Sequence, residues 1–252
     1  MIGIGSPTFS QMPFGDALEQ IADHFELWEV LVEGMHGLED ITDQLIHAKE
    51  SLGMSFQVHA PMSDVNLGSV YEPMRLAALD DTARVLSWCR RQGIEVVTLH
   101  PGFVNGIAFL DRSMALERVK VSMKTVGALA EEHSVVVAVE NMPANINSTC
   151  TDAAELVEAI QGTGLHICFD IGHANTSGCL DRMLEHIGDF RNVHLHNNDG
   201  SWDQHNTIDE GTVDIRRVVD ALKGTYRGNL VIESTDLESG IRSKSILEGL
   251  LT

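Results

Sequence analysis

The chain has 252 residues, and 17 Lys and Arg against 37 Asp and Glu give a formal net charge of −20 at pH 7. Its composition, 43% hydrophobic and 21% charged, provides enough apolar side chains for a full core and argues against a disordered chain. Because duplex nucleic acids are bound by basic surfaces, this acidity disfavours nucleic acid as a partner.

Neither a secretory signal nor a membrane-spanning segment is predicted. Residues 1–15 have no basic segment followed by a continuous apolar run, and no apolar stretch approaches the roughly 20 residues that span a bilayer. The four cysteines show no CxxC spacing, which favours reduced thiols over a disulfide framework. We therefore expect a cytoplasmic protein that is not associated with a membrane.

Short apolar runs alternate with longer amphipathic segments eight times along the chain. The predicted strands are Ile2–Gly5, Leu27–Glu33, Ser55–His59, Glu95–His100, Val135–Glu140, His166–Asp170, Asn192–His196 and Asn229–Glu233. Several of these runs are continuous in Val, Ile and Leu, as is typical of parallel strands covered on both faces. The three-to-four-residue spacing of a helix is clear over residues 72–91, 116–132 and 215–222.

Glycines and a capping pair mark the predicted helix boundaries. Gly53 and Gly93 are expected to follow helix C-termini, and Thr151-Asp152 is expected to begin the fifth helix. Eight strand–helix repeats predict one α/β domain over residues 1–252, folded as a (β/α)8 TIM barrel with its active site at the C-terminal ends of the strands. A doubly wound open sheet is the alternative, but no glycine-rich nucleotide-binding motif follows the first strand.

Histidines and carboxylates are concentrated at the predicted C-terminal ends of the strands, which meet on one face of a barrel. The nine residues are His59, His100, Glu140, Asp170, His173, His196, Asp203, His205 and Glu233. A single histidine at a strand end is more often structural, but here seven successive strands each end in a potential ligand when Glu33, at the end of the second strand, is counted. Zn²⁺ or Mn²⁺, which accept imidazole nitrogen and carboxylate oxygen, would offset the cost of gathering them.

Two further choices concern individual positions. His194 shares a strand face with His196, and we select His196 as the ligand because it is nearer the mouth of the barrel. The predicted substrate contacts are His173, Glu33, Asn141 and Trp202. For Glu33, a structural role is as good an interpretation as substrate contact. For Trp202, simple exposure on a loop is equally good.

The motifs VHAP (58–61), FDIGH (169–173), HNNDGSWDQH (196–205) and IES (232–234) together resemble the xylose isomerase-like TIM-barrel superfamily. This superfamily includes sugar isomerases, sugar epimerases and endonuclease IV. In the isomerase and epimerase branch, the resemblance implies one divalent metal ion. Its ligands here would be Glu140, Asp170, His196 and Glu233. Endonuclease IV instead implies three zinc ions, for which all nine residues above are candidates, although its long DNA-penetrating loops have no clear counterpart.

The eight loops that follow the predicted strands contain no Lys or Arg. The nearest basic residues, at the starts of the predicted helices, are Arg75, Arg112, Arg182, Arg216 and Arg242. A DNA-cleaving site needs several phosphate contacts. The absence of basic side chains from the loops therefore favours a small sugar-type substrate, neutral or singly phosphorylated.

The favoured hypothesis is an isomerase or epimerase that depends on one divalent ion, Zn²⁺, Mn²⁺, Co²⁺ or Mg²⁺. Glu140 and Glu233 would remove and return the proton next to a carbonyl that the metal polarises. The alternative is a zinc-dependent phosphoesterase of endonuclease IV type with three ions per chain, and a non-catalytic binding barrel is the least favoured. The resemblance also implies self-association, although no predicted helix shows an apolar stripe that would specify a homo-oligomer.

Overall fold

A computed structural model describes residues 1–252 and closes eight parallel strands into a barrel in sequence order. The strands are β1 Ile2–Gly5, β2 Leu27–Leu31, β3 Ser55–His59, β4 Val96–Leu99, β5 Val136–Glu140, β6 His166–Asp170, β7 Phe190–Leu195 and β8 Asn229–Glu233. Closure is made by β1 and β8, where Gly5 lies opposite Glu233. The predicted (β/α)8 fold class is therefore confirmed.

Helices connect successive strands. The α-helices are α1 Phe14–Ala22, α2 Leu38–Ser51, α3 Glu72–Gln92, α4 Ser113–His133, α5 Ala153–Ile160, α6 Ile171–Thr176, α7 Leu180–Leu184, α8 Ile215–Lys223 and α9 Leu237–Leu251. Short 3-10 turns cover Phe9–Gln11, Gly106–Phe109 and Ile187–Asp189. None of the helices combines the length and the apolar character needed to cross a bilayer.

The predicted capping residues lie at helix ends. Gly93 ends α3 in the left-handed conformation, with φ of 63°, which a residue without Cβ adopts at little cost. The Asp152 side chain accepts a hydrogen bond of 2.9 Å from the Ala154 amide and so caps α5. Gly53 follows α2 by one further residue, with φ of 68°.

The hydrophobic core lies between the barrel and its ring of helices. Trp28, on the outer face of β2, stacks on Phe14 of α1 with ring centroids 4.8 Å apart. Glu29, the next residue along β2, points inside the barrel because successive side chains of a strand alternate between faces. The barrel interior is accordingly polar at mid-height, where Glu29, Thr98 and Asn192 are all buried and hydrogen-bonded to one another.

Candidate active site

A cavity of about 140 Å³ opens at the C-terminal ends of the strands. Its 13 lining residues are Gly5, Ser6, Pro7, Glu29, Leu31, His59, Met62, His100, Glu140, His173, Asp203, His205 and Glu233. Eight of these are carboxylates or histidines, and none is Lys or Arg. Seven of the nine predicted metal ligands therefore line the cavity, while Asp170 and His196 are fully buried beside it.

Glu140, at the end of β5, is the central carboxylate of the site. Its Oε2 lies 3.3 Å from His59 Nε2 and 3.2 Å from His100 Nε2. Its Oε1 lies 3.2 Å from His173 Nδ1 and 3.4 Å from His194 Nδ1. Burial alone would raise the pKa of the Glu140 carboxyl, but the surrounding histidines outweigh burial and hold this pKa well below its usual range. Glu140 is therefore ionised.

Potential ligand atoms form four groups, within each of which all atoms lie within 4.8 Å of one another, and one of them, Glu140, Cys168 and His194, overlaps the central group. The central group comprises Glu140, Asp170, His194 and Glu233. The histidine group comprises His59, His100 and Glu140, so that Glu140 is shared with the central group. The loop group comprises His173, His196, Asp203 and His205. All nine predicted residues belong to at least one of these groups, and His194 and Cys168 are the added members.

The histidine that β7 contributes to the central group differs from the sequence expectation. His194 Nδ1 lies 3.2 Å from Glu233 Oε1, whereas His196 Nε2 lies 3.1 Å from Asp170 Oδ1 and faces Asp203. Both rings point into the barrel, as their two-residue spacing requires. However, β7 ends at Leu195, so His196 belongs to the loop layer above the group that contains both glutamates.

The environment of His194 fits a bound cation. The ring is fully buried, Nε2 lies 2.8 Å from Glu29 Oε1, and Nδ1 has no hydrogen-bond partner. This free nitrogen faces Glu140, Glu233 and, at 3.8 Å, Asp170. Three clustered carboxylates repel one another, and a divalent ion that accepts one imidazole and several carboxylate ligands would remove that repulsion.

The loop group is held by its own hydrogen bonds. Asp203 Oδ2 lies 3.1 Å from His173 Nε2 and 2.9 Å from His205 Nε2. The His205 ring stacks on His196 at a centroid distance of 4.1 Å. Burial lowers the pKa of His205, but the hydrogen bond to Asp203 and the charge of Glu233 outweigh burial and raise the pKa to about 9. His205 adopts a φ of 50°, a strained conformation of the kind found at functional sites.

The other predicted substrate contacts do not line the cavity. Glu33 Oε2 accepts hydrogen bonds of 2.9 and 3.1 Å from the backbone amides of Met62 and Ser63. The Asn141 side chain is bonded at both ends to the backbone of Asp170 and so ties β5 to β6. Trp202 is 62% exposed. Among the four predicted contacts, only His173 reaches the cavity wall.

Sequence reasoning missed Glu29 as well as His194. Glu29 lines the floor of the cavity although it lies in the middle of β2 rather than at its end. Its signal was a carboxylate within an otherwise apolar five-residue strand. An unpaired buried charge of this kind is costly, so its presence there indicates a partner inside the barrel.

Most of the arginines that flank the mouth are already paired. Arg75 binds Glu72, Arg112 binds Glu155 and the Ser148 carbonyl, Arg182 binds Asp152, and Arg242 binds Asp209 and Glu210. Four of the five nearest basic residues are therefore committed to carboxylates of this chain.

Comparison with known proteins identifies the fold family. The family described as "Xylose isomerase-like TIM barrel" matches residues 17–249. The uncharacterized protein MJ1311 of Methanocaldococcus jannaschii is 30% identical over 99% of this chain and 88% of its own length.

Solved structures agree with this assignment. A D-tagatose 3-epimerase-like protein superposes with a TM-score of 0.91 at 28% identity, over 99% of this chain and 96% of its own. The D-psicose 3-epimerase of Clostridium cellulolyticum H10, solved with D-tagatose, gives a TM-score of 0.81 at 16% identity, over 99% of both chains, and supports the fold alone. The chain belongs to the xylose isomerase-like TIM-barrel family.

Proposed function

We propose that this protein is an isomerase or epimerase of small sugars that uses one divalent ion bound by the central group. The observation that carries the proposal is the meeting of Glu140 and Glu233 around the free Nδ1 of His194 at the cavity. Support also comes from the D-tagatose 3-epimerase-like neighbour at 28% identity.

The chemistry would divide between the ion and two carboxylates. A Mn²⁺, Co²⁺, Mg²⁺ or Zn²⁺ ion held by Glu140, Asp170, His194 and Glu233 supplies Lewis acidity, which makes the hydrogen next to a carbonyl more acidic. Glu140 on β5 and Glu233 on β8 approach the site from different sides of the barrel. One carboxylate removes that proton and the other returns it, and general acid–base catalysis of this kind contributes about 10²–10⁴-fold.

The cavity wall favours an uncharged substrate. Its polar groups are carboxylates and imidazoles, and the nearby arginines are largely paired with acidic residues. His173 donates from Nδ1 to the Asn141 carbonyl at 2.9 Å, which fixes the direction in which its Nε2 faces. We propose that His173 orients a substrate hydroxyl, whereas a phosphate group finds no Lys or Arg side chain on this wall.

The test is exchange of the substrate proton with solvent. Protein loaded with Mn²⁺ is incubated in D₂O with a panel of ketoses and aldoses, and deuterium at the carbon next to the carbonyl is followed by NMR. Exchange is expected for at least one sugar, and Glu140→Gln and Glu233→Gln are expected to slow it by about 10²-fold or more. Glu238→Gln, at an exposed position on α9, is the matched control. Absence of exchange across the panel would reject the proposal.

A zinc phosphoesterase with a three-ion centre is the second candidate, favoured by the histidine and loop groups. His59 Nδ1 donates to the Ala60 carbonyl at 2.8 Å, and its Nε2 faces Glu140 Oε2 at 3.3 Å. An additional cation would bind between this imidazole nitrogen and this carboxylate oxygen. Three zinc ions per chain by elemental analysis, together with nicking of DNA at abasic sites, would select this candidate, whereas one ion without nicking would reject it.

A further inference from the structure

A second cavity, here called the lower cavity, opens at the opposite end of the barrel from the candidate active site. It measures about 480 Å³ and lies at the N-terminal ends of β4, β5, β7 and β8, where Val96, Val136, Phe190 and Asn229 begin their strands. This volume is within the range of about 300–1,000 Å³ that is typical of small-molecule sites. Neither the proposed metal centre nor the proposed sugar chemistry uses this cavity.

The charge of the lower cavity is opposite in sign to that of the mouth. Arg191 on β7 and Arg227 in the segment between α8 and β8 both line it, and Glu95 is the only acidic residue of its wall. By contrast, no Lys or Arg lines the active-site cavity. The wall of the lower cavity therefore has a net positive charge on a chain whose formal net charge is −20.

Both arginines are held in place without being neutralised. Arg191 Nη1 donates to the carbonyls of Gly188 and Phe190 at 3.2 and 2.9 Å. Arg227 donates from Nη1 and Nη2 to carbonyls at the end of α8 and in the segment that follows, at 2.9 to 3.3 Å. Neither guanidinium pairs with a carboxylate, whereas four of the five arginines that flank the mouth do so.

The remaining hydrogens of each guanidinium can bind a ligand. Nε and Nη2 of Arg191, which form one edge of the planar group, have no hydrogen-bond partner, and Nε of Arg227 has none either. Such an edge matches two oxygens of a phosphate group. Two guanidiniums that are not neutralised also repel each other, and an anion bound to both would offset this repulsion.

We propose that the lower cavity binds a small organic molecule through its phosphate group, which Arg191 and Arg227 hold. The half-buried side chains of Val96, Val136 and Ile187 line the same cavity and would contact the organic part of the ligand. Inorganic phosphate lacks that part and should bind more weakly. The inference does not depend on the proposed function, because this ligand is charged and binds at the opposite face of the barrel.

The test is the binding of phenyl phosphate, with inorganic phosphate as the comparison. Calorimetric titration of the wild-type protein at low ionic strength should show one phenyl phosphate per chain, bound more tightly than inorganic phosphate. Arg191→Gln and Arg227→Gln should each weaken this binding by about 10- to 100-fold, because each removes charge-assisted bonds to the phosphate group. Arg216→Gln is the matched control, since Arg216 also forms no ion pair but lies in the first turn of α8, beside the mouth.

Absence of phenyl phosphate binding, or binding that both variants retain, would overturn the proposal. Equal affinities for phenyl phosphate and inorganic phosphate would indicate an adventitious anion site and would also overturn it. A merely structural role for the two arginines predicts a lower Tm in the variants with unchanged affinity. If a variant fails to fold, a wild-type crystal soaked in phenyl phosphate locates the ligand directly. Electron density at Arg191 and Arg227 is expected, and density only at the mouth would reject the proposal.

Discussion

At the scale of single residues, the direction of a side chain was predictable but its height in the barrel was not. The spacing of His194 and His196 places both on the inner face of β7, yet only the closed barrel decides which of them is level with Glu233. The same limit applies to Asn141, which follows Glu140 directly and points to the neighbouring strand rather than to the cavity. The alternation of side chains along a strand specifies whether a residue points into or out of the barrel. Its height inside the barrel depends on the stagger between neighbouring strands.

The two histidines of β7 should therefore differ as metal ligands. We predict that His194→Gln weakens the tightest Mn²⁺ site by more than tenfold, because it removes a nitrogen that faces three carboxylates. His196→Gln should weaken this site less, since the His196 ring contacts only Asp170 of the central group and otherwise packs against Asp203 and His205. Calorimetric titration of both variants checks the prediction, and the reverse order of affinities would contradict it.

His36 should make stability depend on pH. Its ring is fully buried edge-on to Phe14 and Trp28, and neither nitrogen has a partner, so burial lowers its pKa from the usual value near 6.5. As pH falls below about 6.5, His36 becomes protonated in the unfolded chain but stays neutral in the folded protein. The free energy of unfolding therefore decreases. Urea denaturation at pH 7 and pH 5 should show a smaller decrease for His36→Phe than for wild type; equal decreases would exclude this role.

At the scale of elements, the strands were predicted well because their apolar runs and turn residues are local signals. β7 begins at Phe190, two residues before the predicted Asn192, and other exceptions lie at the mouth. β2 ends at Leu31 rather than Glu33, and the Glu33 side chain instead accepts hydrogen bonds from the loop after β3. The helix α6, which begins directly after Asp170, has no long amphipathic pattern; Asp170 caps it by accepting from the His173 amide at 2.6 Å. Such a short helix depends on its cap and its packing more than on its composition.

Gly172 in α6 is required by the close approach of His196. A Cβ at position 172 would lie 1.9 Å from His196 Cε1, so Gly172→Ala must displace the imidazole or the helix. We predict a loss of about 1–3 kcal/mol in the free energy of unfolding, as is usual for overpacking. Gly188→Ala, where an added Cβ meets nothing within 4 Å, should stay within about 0.5 kcal/mol of wild type. Urea denaturation of both variants measures these free energies of unfolding. Equal values for the two variants would show that α6 and His196 move apart at no cost, and would contradict the prediction.

At the scale of the whole molecule, the barrel separates apolar from polar packing. The helices and the outer faces of the strands form one core of 60 buried residues, while the upper interior gathers charged groups from most strands around one cavity. Composition and periodicity could predict the apolar core, because the apolar run that packs against the helices is visible within each strand's own sequence. They could not predict the bonds from Glu29 to Thr98 and Asn192, which join strands that are distant in sequence.

We predict that this separation makes the stability of the fold depend on a bound cation. Glu140, Asp170 and Glu233 lie within one ligand group, and their mutual repulsion in the folded state is absent from the unfolded chain. An ion that binds only the folded state at 100 times its Kd adds about 2.7 kcal/mol. We predict that chelation lowers Tm and that Mn²⁺ restores it. Glu233→Gln removes one negative charge from the group. Chelation should therefore lower the Tm of this variant by less than it lowers the wild-type Tm, and Mn²⁺ should raise the variant's Tm by less. A Tm that chelation leaves unchanged in wild type would mean that histidine protonation already balances the carboxylates, and that no cation contributes to the fold.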